Sequence, residues 1–199
     1  MPAELLIPVQ DFFNELDGGT PASRNSVDAF VSMMETDGRV RDDVILSLID
    51  PNGDDTSHND VAGPLLKHPR ILAHIQHGGT DFQRVADGAD LLLRMMTETG
   101  DEFSFSDHPR MLALIGYLYW FIGATGPAVM MATMSEMVRP KNSAVHGSTM
   151  LTEEDLLPRM TAMLVKNHVT PSHDNAITEA DLDMLDGQKF IHGQADEHQ

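Results

Sequence analysis

The residues whose types and spacing suit chemistry are the oxygen donors of one turn and a pair of histidines. In Asp50-Pro51-Asn52-Gly53-Asp54-Asp55, the side chains of Asp50, Asn52 and Asp54 stand at alternate positions. That is the spacing with which a short loop wraps a hard cation in oxygen. Asp60 lies further on, but Val61 occupies the place of a closing carboxylate and Ser57 that of an apolar residue. The competing reading is a solvated Asp/Asn/Gly turn between two helices. His74 and His77 are three residues apart and share a face if their segment is helical. With His68 about two turns earlier, and His108 or His146 from elsewhere, they form an alternative transition-metal site. Helix-end dipole interactions are the structural reading of the same rings. The chain lacks His-Glu-x-x-His, the paired Glu-x-x-His of di-iron bundles, a P-loop, a Gly-x-Gly-x-x-Gly turn and a Gly-x-Ser-x-Gly elbow. It also lacks cysteine, so thiolate chemistry is excluded. No catalytic residue is assigned.

Charge narrows the partners. The 199 residues hold 31 acidic against 13 basic side chains, a formal charge of −18. Adding ten histidine protons to −18 still leaves −8. A nucleic acid or an anionic membrane is therefore repelled, whereas cations, basic proteins or a small apolar ligand are not. The opening MPAELLIPVQDFF has no basic residue and carries Glu4 and Asp11, unlike a signal peptide. The expected location is cytoplasmic.

The elements that must position these residues read as helices. Val27, Phe30, Val31 and Met34 follow the i, i+3, i+4, i+7 spacing, with Thr20-Pro21 or Ser26 before them as caps. Asp42–Ile49 predicts a short helix ending at the Asp50 turn. A helix is expected from about Val61 to His77, restarted near Pro69 and stopped by Gly78-Gly79, and another from Phe82 to Met96. Thr152-Glu153-Glu154-Asp155 opens a later helix, and a last one begins near Thr178. Met111 to Ser135 holds no charged residue. Its Gly123, Gly126 and Pro127 divide it into a buried helical hairpin rather than a span, with Thr125 or Gly126 as the second helix's cap. The expected fold is all-α, with helix–loop–helix repeats packed around that hairpin. It forms a single helical domain over 1–199, or two lobes of about 1–80 and 81–190, with a frayed tail at 191–199.

The chain also repeats itself. Phe30–Ile49 parallels Leu92–Ile115, each running from a helix ending in Met-Met through a loop with Glu, Thr and Gly into a second helix. Asp155–Met160 repeats Asp90–Met95 and leads into Val169–Leu185, while His-Pro-Arg recurs at His68 and His108. Helix, acidic loop with a central apolar residue, helix: this resembles the EF-hand (calmodulin-like) superfamily. The resemblance implies a 12-residue loop offering oxygens to Ca2+ at positions 1, 3, 5, 7, 9 and 12. Thr170–Asp181 fits best: Thr170, Ser172, Asp174, Thr178 and Asp181 fall in register and Ile177 at the apolar place. Asn175 replaces the glycine there, and an Asp stands where a Glu closes the loop. Met33–Val44 keeps Glu35-Thr36-Asp37-Gly38-Arg39-Val40 but has Met33 and Val44 at its ends, so it is expected to be metal-free. Met96–Asp107 keeps Glu98, Phe103 and Asp107 in register but starts on Met96. The implied protein is an acidic helical binding protein, weakly or not calcium-binding, that acts through a partner or ligand and is not a catalyst. The alternative is an α-helical histidine-ligated metalloenzyme or small-molecule-binding protein. Fourteen methionines, several at helical spacing, suit either a core or an adaptable partner groove.

Overall fold

A computed structural model describes residues 3–52, 68–99, 104–138, 153–168 and 171. The described residues form eight α-helices and one 3₁₀ turn, with no strand, so the protein is all-α. The helices are α1 (Ala3–Leu16), α2 (Arg24–Thr36), α3 (Gly38–Ile49), α4 (Pro69–His77), α5 (Phe82–Glu98), α6 (Pro109–Phe121), α7 (Thr125–Val138) and α8 (Glu153–Lys166). The 3₁₀ turn, Phe105–Asp107, precedes α6.

Helix α6 is the centre. Its sequence PRMLALIGYLYWF is apolar on every side, which is the composition of a helix surrounded by protein. Met111, Leu112, Leu114, Ile115, Tyr117, Leu118, Trp120 and Phe121 are all buried. At 13 residues and 1.5 Å per residue it is about 20 Å long. No helix among the described residues is long and apolar enough to cross a membrane. Around α6 lie α2 and α5 on one hand, α7 and α8 on the other. One continuous apolar core takes residues from all eight helices, from Phe12 of α1 to Leu164 of α8, so the described helices on either side of residue 80 share it.

The hairpin forms as expected, displaced by a residue or two at its turn. Gly123 closes α6 at φ +79, a left-handed conformation that costs other residues about 1–2 kcal/mol. The first turn of α7 then holds Thr125, Gly126 and Pro127, and the Ala128 amide donates to Ala124 O at 3.0 Å. Proline fits there because a first-turn amide has no intrahelical acceptor to lose. The two helices touch through Gly116. A Cβ there would stand 3.1 Å from Ala128 O and 3.2 Å from Ala132 N. Ser135, fully buried in α7, donates its hydroxyl to Pro109 O at 2.7 Å and fastens the start of α6.

Helix α1 has a spacing signal of its own. Val9, Phe12, Phe13 and Leu16 keep helical spacing, and Phe12 is fully buried against the ring of Phe30 at 4.9 Å. Glu15 accepts from the Ala22 amide at 2.8 Å and pairs with Arg94 of α5. Arg84 of α5 pairs with Asp17 and lies over the Phe13 ring.

Because backbone atoms rather than flexible side-chain ends surround Gly116, its substitution is expected to separate α6 from α7. Gly116→Val should cost about 1–3 kcal/mol, the range for overpacking a core, and Gly116→Ala less. Urea denaturation followed by circular dichroism measures both, and an unchanged midpoint for the valine variant would contradict the close contact.

Candidate functional site

The Glu35 motif does not form a loop. Helix α2 ends at Thr36 and α3 begins at Gly38, with Asp37 alone between them. Asp37 is extended (φ −117, ψ 109) and its carboxylate accepts from the Arg39 amide at 2.9 Å, capping α3. Residues 33–44 are therefore helical on either side of one joint. In the parallel segment, α5 ends at Glu98 and α6 begins at Pro109, with the 3₁₀ turn Phe105–Asp107 directly before it.

Glu35 instead caps a different helix. Its Oε1 accepts from the Met111 amide at 2.8 Å and its Oε2 from the Arg110 amide at 3.3 Å. Those amides belong to the first turn of α6, where the backbone has no intrahelical acceptor. His108, the residue before α6, offers no side-chain cap. In return, the Arg110 guanidinium donates to Glu35 O, and the buried Arg41 donates to Met34 O at 2.6 Å. The carbonyl end of α2 and the amide end of α6 thus satisfy each other, with opposite dipole ends facing. Burial pushes the Glu35 carboxyl above its ordinary value, although the two amides, Arg110 and Arg41 act the other way.

The recurring His-Pro-Arg follows the same plan. His68 caps α4 through Nδ1, which accepts from the Arg70 amide at 3.3 Å, and Pro69 starts the helix. Arg70 reaches back to the end of α3, donating from Nε to Asp50 Oδ2 at 2.7 Å and from Nη2 to Asp50 O at 2.8 Å. His74 Nε2 lies 3.6 Å from Asp50 Oδ1, and His74 Nδ1 meets Thr80 Oγ1 at 3.0 Å. Burial would raise the Asp50 pKa, but the Arg70 hydrogen bond and charge, with His74 beside them, outweigh it and hold the carboxyl below its ordinary value.

These contacts place the candidate ligands as follows. Asp50 faces Arg70 and His74, Asn52 is exposed in the turn after α3, and His77 is exposed at the end of α4. Asp54, Thr170, Ser172, Asp174 and Asp181 lie outside the described residues. Among the described residues, no three His, Asp or Glu side chains gather to hold a metal.

A cleft of about 290 Å³ opens beside the Glu35 cap, lined by Asp28, Val31, Ser32, Glu35, Thr36, Thr99, Asp107 and His108. Thr99 gives its hydroxyl proton to Met96 O at 2.7 Å, so its oxygen is left to accept from His108 Nε2 at 3.3 Å. Burial pushes the His108 pKa below its ordinary value, with Asp107 opposing. The cleft therefore sets the His108 imidazole beside a carboxylate already engaged in helix capping.

A second feature lies on α7. Its inward residues Ala128, Met131, Ala132 and Ser135 are buried, while Gly126, Val129, Met130, Thr133 and Met137 are exposed on the opposite side. Met137 is 78% exposed, Met130 52% and Val129 36%. Thr133 is the one polar side chain of this outward set, and none of the five carries a charge. Among the described residues, only the inward half of α7 is covered.

Comparison with known protein families, with curated proteins and with solved structures finds no match for this chain.

The Glu35 cap makes a prediction. Glu35→Ala should cost about 1–2 kcal/mol, as loss of a strong helix cap does. Glu35→Gln keeps an acceptor oxygen and should cost less. A carboxyl raised on folding stabilises most below its unfolded pKa, and that contribution is lost as pH rises through the folded value. The glutamine variant should therefore compare better with the parent at pH 7 than at pH 4. For His108, lowered on folding, the contribution is full above the ordinary value of about 6.5 and lost as pH falls through the folded value. The parent should lose more stability between pH 7 and 5.5 than His108→Gln does, measured by denaturation at each pH.

Proposed function

We propose that this chain is an acidic helical binding protein that acts through a partner and not through catalysis, with calcium bound weakly or not at all. One observation carries the reading: α7 leaves Val129, Met130 and Met137 in water along one uncharged face, with Thr133 between them. Single exposed apolar residues are ordinary, but several aligned on one side of a helix mark a surface that another molecule covers. Methionine suits such a surface because its unbranched, polarisable side chain adapts to different shapes. Threonine does not break the stripe, because it adds a methyl group and no charge. An EF-hand lineage belongs to the same proposal. The repeats and the acidity support it, and the single-residue joint at Asp37 weighs against it at the first loop.

The calcium part of the reading is supported by Asp50 already facing a guanidinium. Calorimetry with Ca2+ and Mg2+ tests it, with no saturable heat expected below millimolar ion. Micromolar binding would make the chain a calcium sensor instead.

An uncharged solvatochromic dye such as Nile red tests the surface, since an anionic dye would be repelled by a charge of −18. The folded protein should enhance its emission, and the double variant Met130→Gln, Met137→Gln should remove most of that enhancement. Unchanged emission in the variant would place the binding surface elsewhere.

A further inference from the structure

We propose that the cleft beside the Glu35 cap binds a short aliphatic polyamine, with one ammonium group at Asp28 and another at Asp107. The inference goes beyond the α7 surface and does not rest on it. Asp28 Oδ1 is buried and has no hydrogen-bond partner among the described residues. A carboxylate oxygen withdrawn from water without a donor is costly, and folded proteins leave few of them. Asp28 lines the cleft of about 290 Å³, close to the lower end of the size range of small-molecule sites. The space beside the unmet acceptor is therefore much larger than one water, whose share of liquid volume is about 30 Å³.

Charge and spacing select the occupant. Asp28, Val31, Ser32, Glu35 and Thr36 follow the i, i+3, i+4, i+7, i+8 spacing and form one side of the cleft. At 1.5 Å per residue, Asp28 stands about 10 Å along α2 from Glu35. Asp107 and His108 directly precede the turn of α6 that Glu35 caps, so Asp107 marks the far end of the cleft. Asp107 is exposed and accepts from the Ser106 hydroxyl at 3.1 Å. Glu35 is already held by two amides. Among the described residues, no lysine or arginine lines the cleft. The two ends require cationic donors, while buried Val31 lies between Asp28 and Glu35 on α2. Ammonium groups joined by methylenes meet that order. A single metal ion does not, because no three His, Asp or Glu side chains gather to hold one among the described residues. A neutral polyol leaves both carboxylates uncompensated.

The test is calorimetry on the full chain with spermidine, n-butylamine and hexaamminecobalt(III), at about 0.15 M salt to screen exposed charges. Spermidine should saturate a single site and raise the thermal midpoint. The single ammonium of n-butylamine leaves one end unmet, so it should bind at least about tenfold more weakly. Hexaamminecobalt(III) has the charge of spermidine in a compact shape and should not displace it. Asp28→Asn should weaken spermidine binding at least about tenfold. Its own thermal midpoint should equal or exceed that of the parent, because no partner of Asp28 is lost. Asp87→Asn removes the same charge from an exposed position on α5 and should leave binding unchanged.

No saturable binding of spermidine, or binding that Asp28→Asn leaves intact, would overturn the site. Equal weakening by Asp28→Asn and Asp87→Asn, or displacement by the cobalt complex, would assign the effect to net charge and overturn it as well. Equal affinity for n-butylamine would overturn the two-ended ligand. A marked loss of stability in Asp28→Asn would give Asp28 a partner within the fold and remove the premise. None of these measurements involves Met130 or Met137, so their failure leaves the α7 reading to its own test.

Discussion

The architecture depends on a reciprocal contact between Glu35 and Arg110. The Glu35 carboxylate closes the amide end of α6 while the Arg110 side chain closes the carbonyl end of α2. Each helix end supplies what the other lacks, so groups that would otherwise lose water without a partner are satisfied within the fold. The consequence reaches beyond two residues because α6 is the buried centre. The first turn of α6 lies at the edge of that centre, with the Arg110 amide at the surface and the Met111 amide part-buried, so the cap joins the buried helix to the end of α2 where the core meets solvent. Glu35 bears a desolvation cost for this role, visible in its raised pKa. Arg70 and Asp50 apply a similar solution between α3 and α4 with a more exposed carboxylate.

The same logic separates the acids. Those at helix ends, Glu35, Asp37 and Asp50, are held by amides and guanidinium groups, and so are Glu15 and Asp17 near the end of α1. They are structural anions inside a chain whose net charge is still −18. Apolar surface is divided in the same way. Helix α6 has the composition of a core helix and is one, whereas α7, also rich in apolar residues, is covered on one side only among the described residues. The contrast between these neighbours is what gives α7 a functional meaning.

Much of the fold was legible in the residues. The 3.6-residue spacing of Val27, Phe30, Val31 and Met34 marks the buried side of α2, and Gly123 with Pro127 divides the apolar segment into a hairpin. Val9, Phe12, Phe13 and Leu16 carry the same spacing in α1, whose run holds Pro8 within the helix. The Glu-Thr-Asp-Gly run looked like a loop because Asp and Gly are turn formers, yet one capping Asp is enough to end one helix and begin the next. The partner of Glu35 lies 75 residues away in the chain, and no local pattern announces a cap supplied across such a distance. The repeated His-Pro-Arg was the available clue: proline at the first helical position implies a helix start, and the arginine after it reaches back to an earlier helix end. That only half of α7 would be covered depends on packing, which hydropathy along the chain does not record.

Amide hydrogen exchange at Met111 tests the account most directly, because that amide has no acceptor within α6 and is protected only if Glu35 holds it. The account predicts protection at Met111 comparable to the interior of α6, falling selectively in Glu35→Ala while the interior amides of α6 change far less. Exchange at Met111 near the rate of an unstructured chain in the parent protein would contradict it.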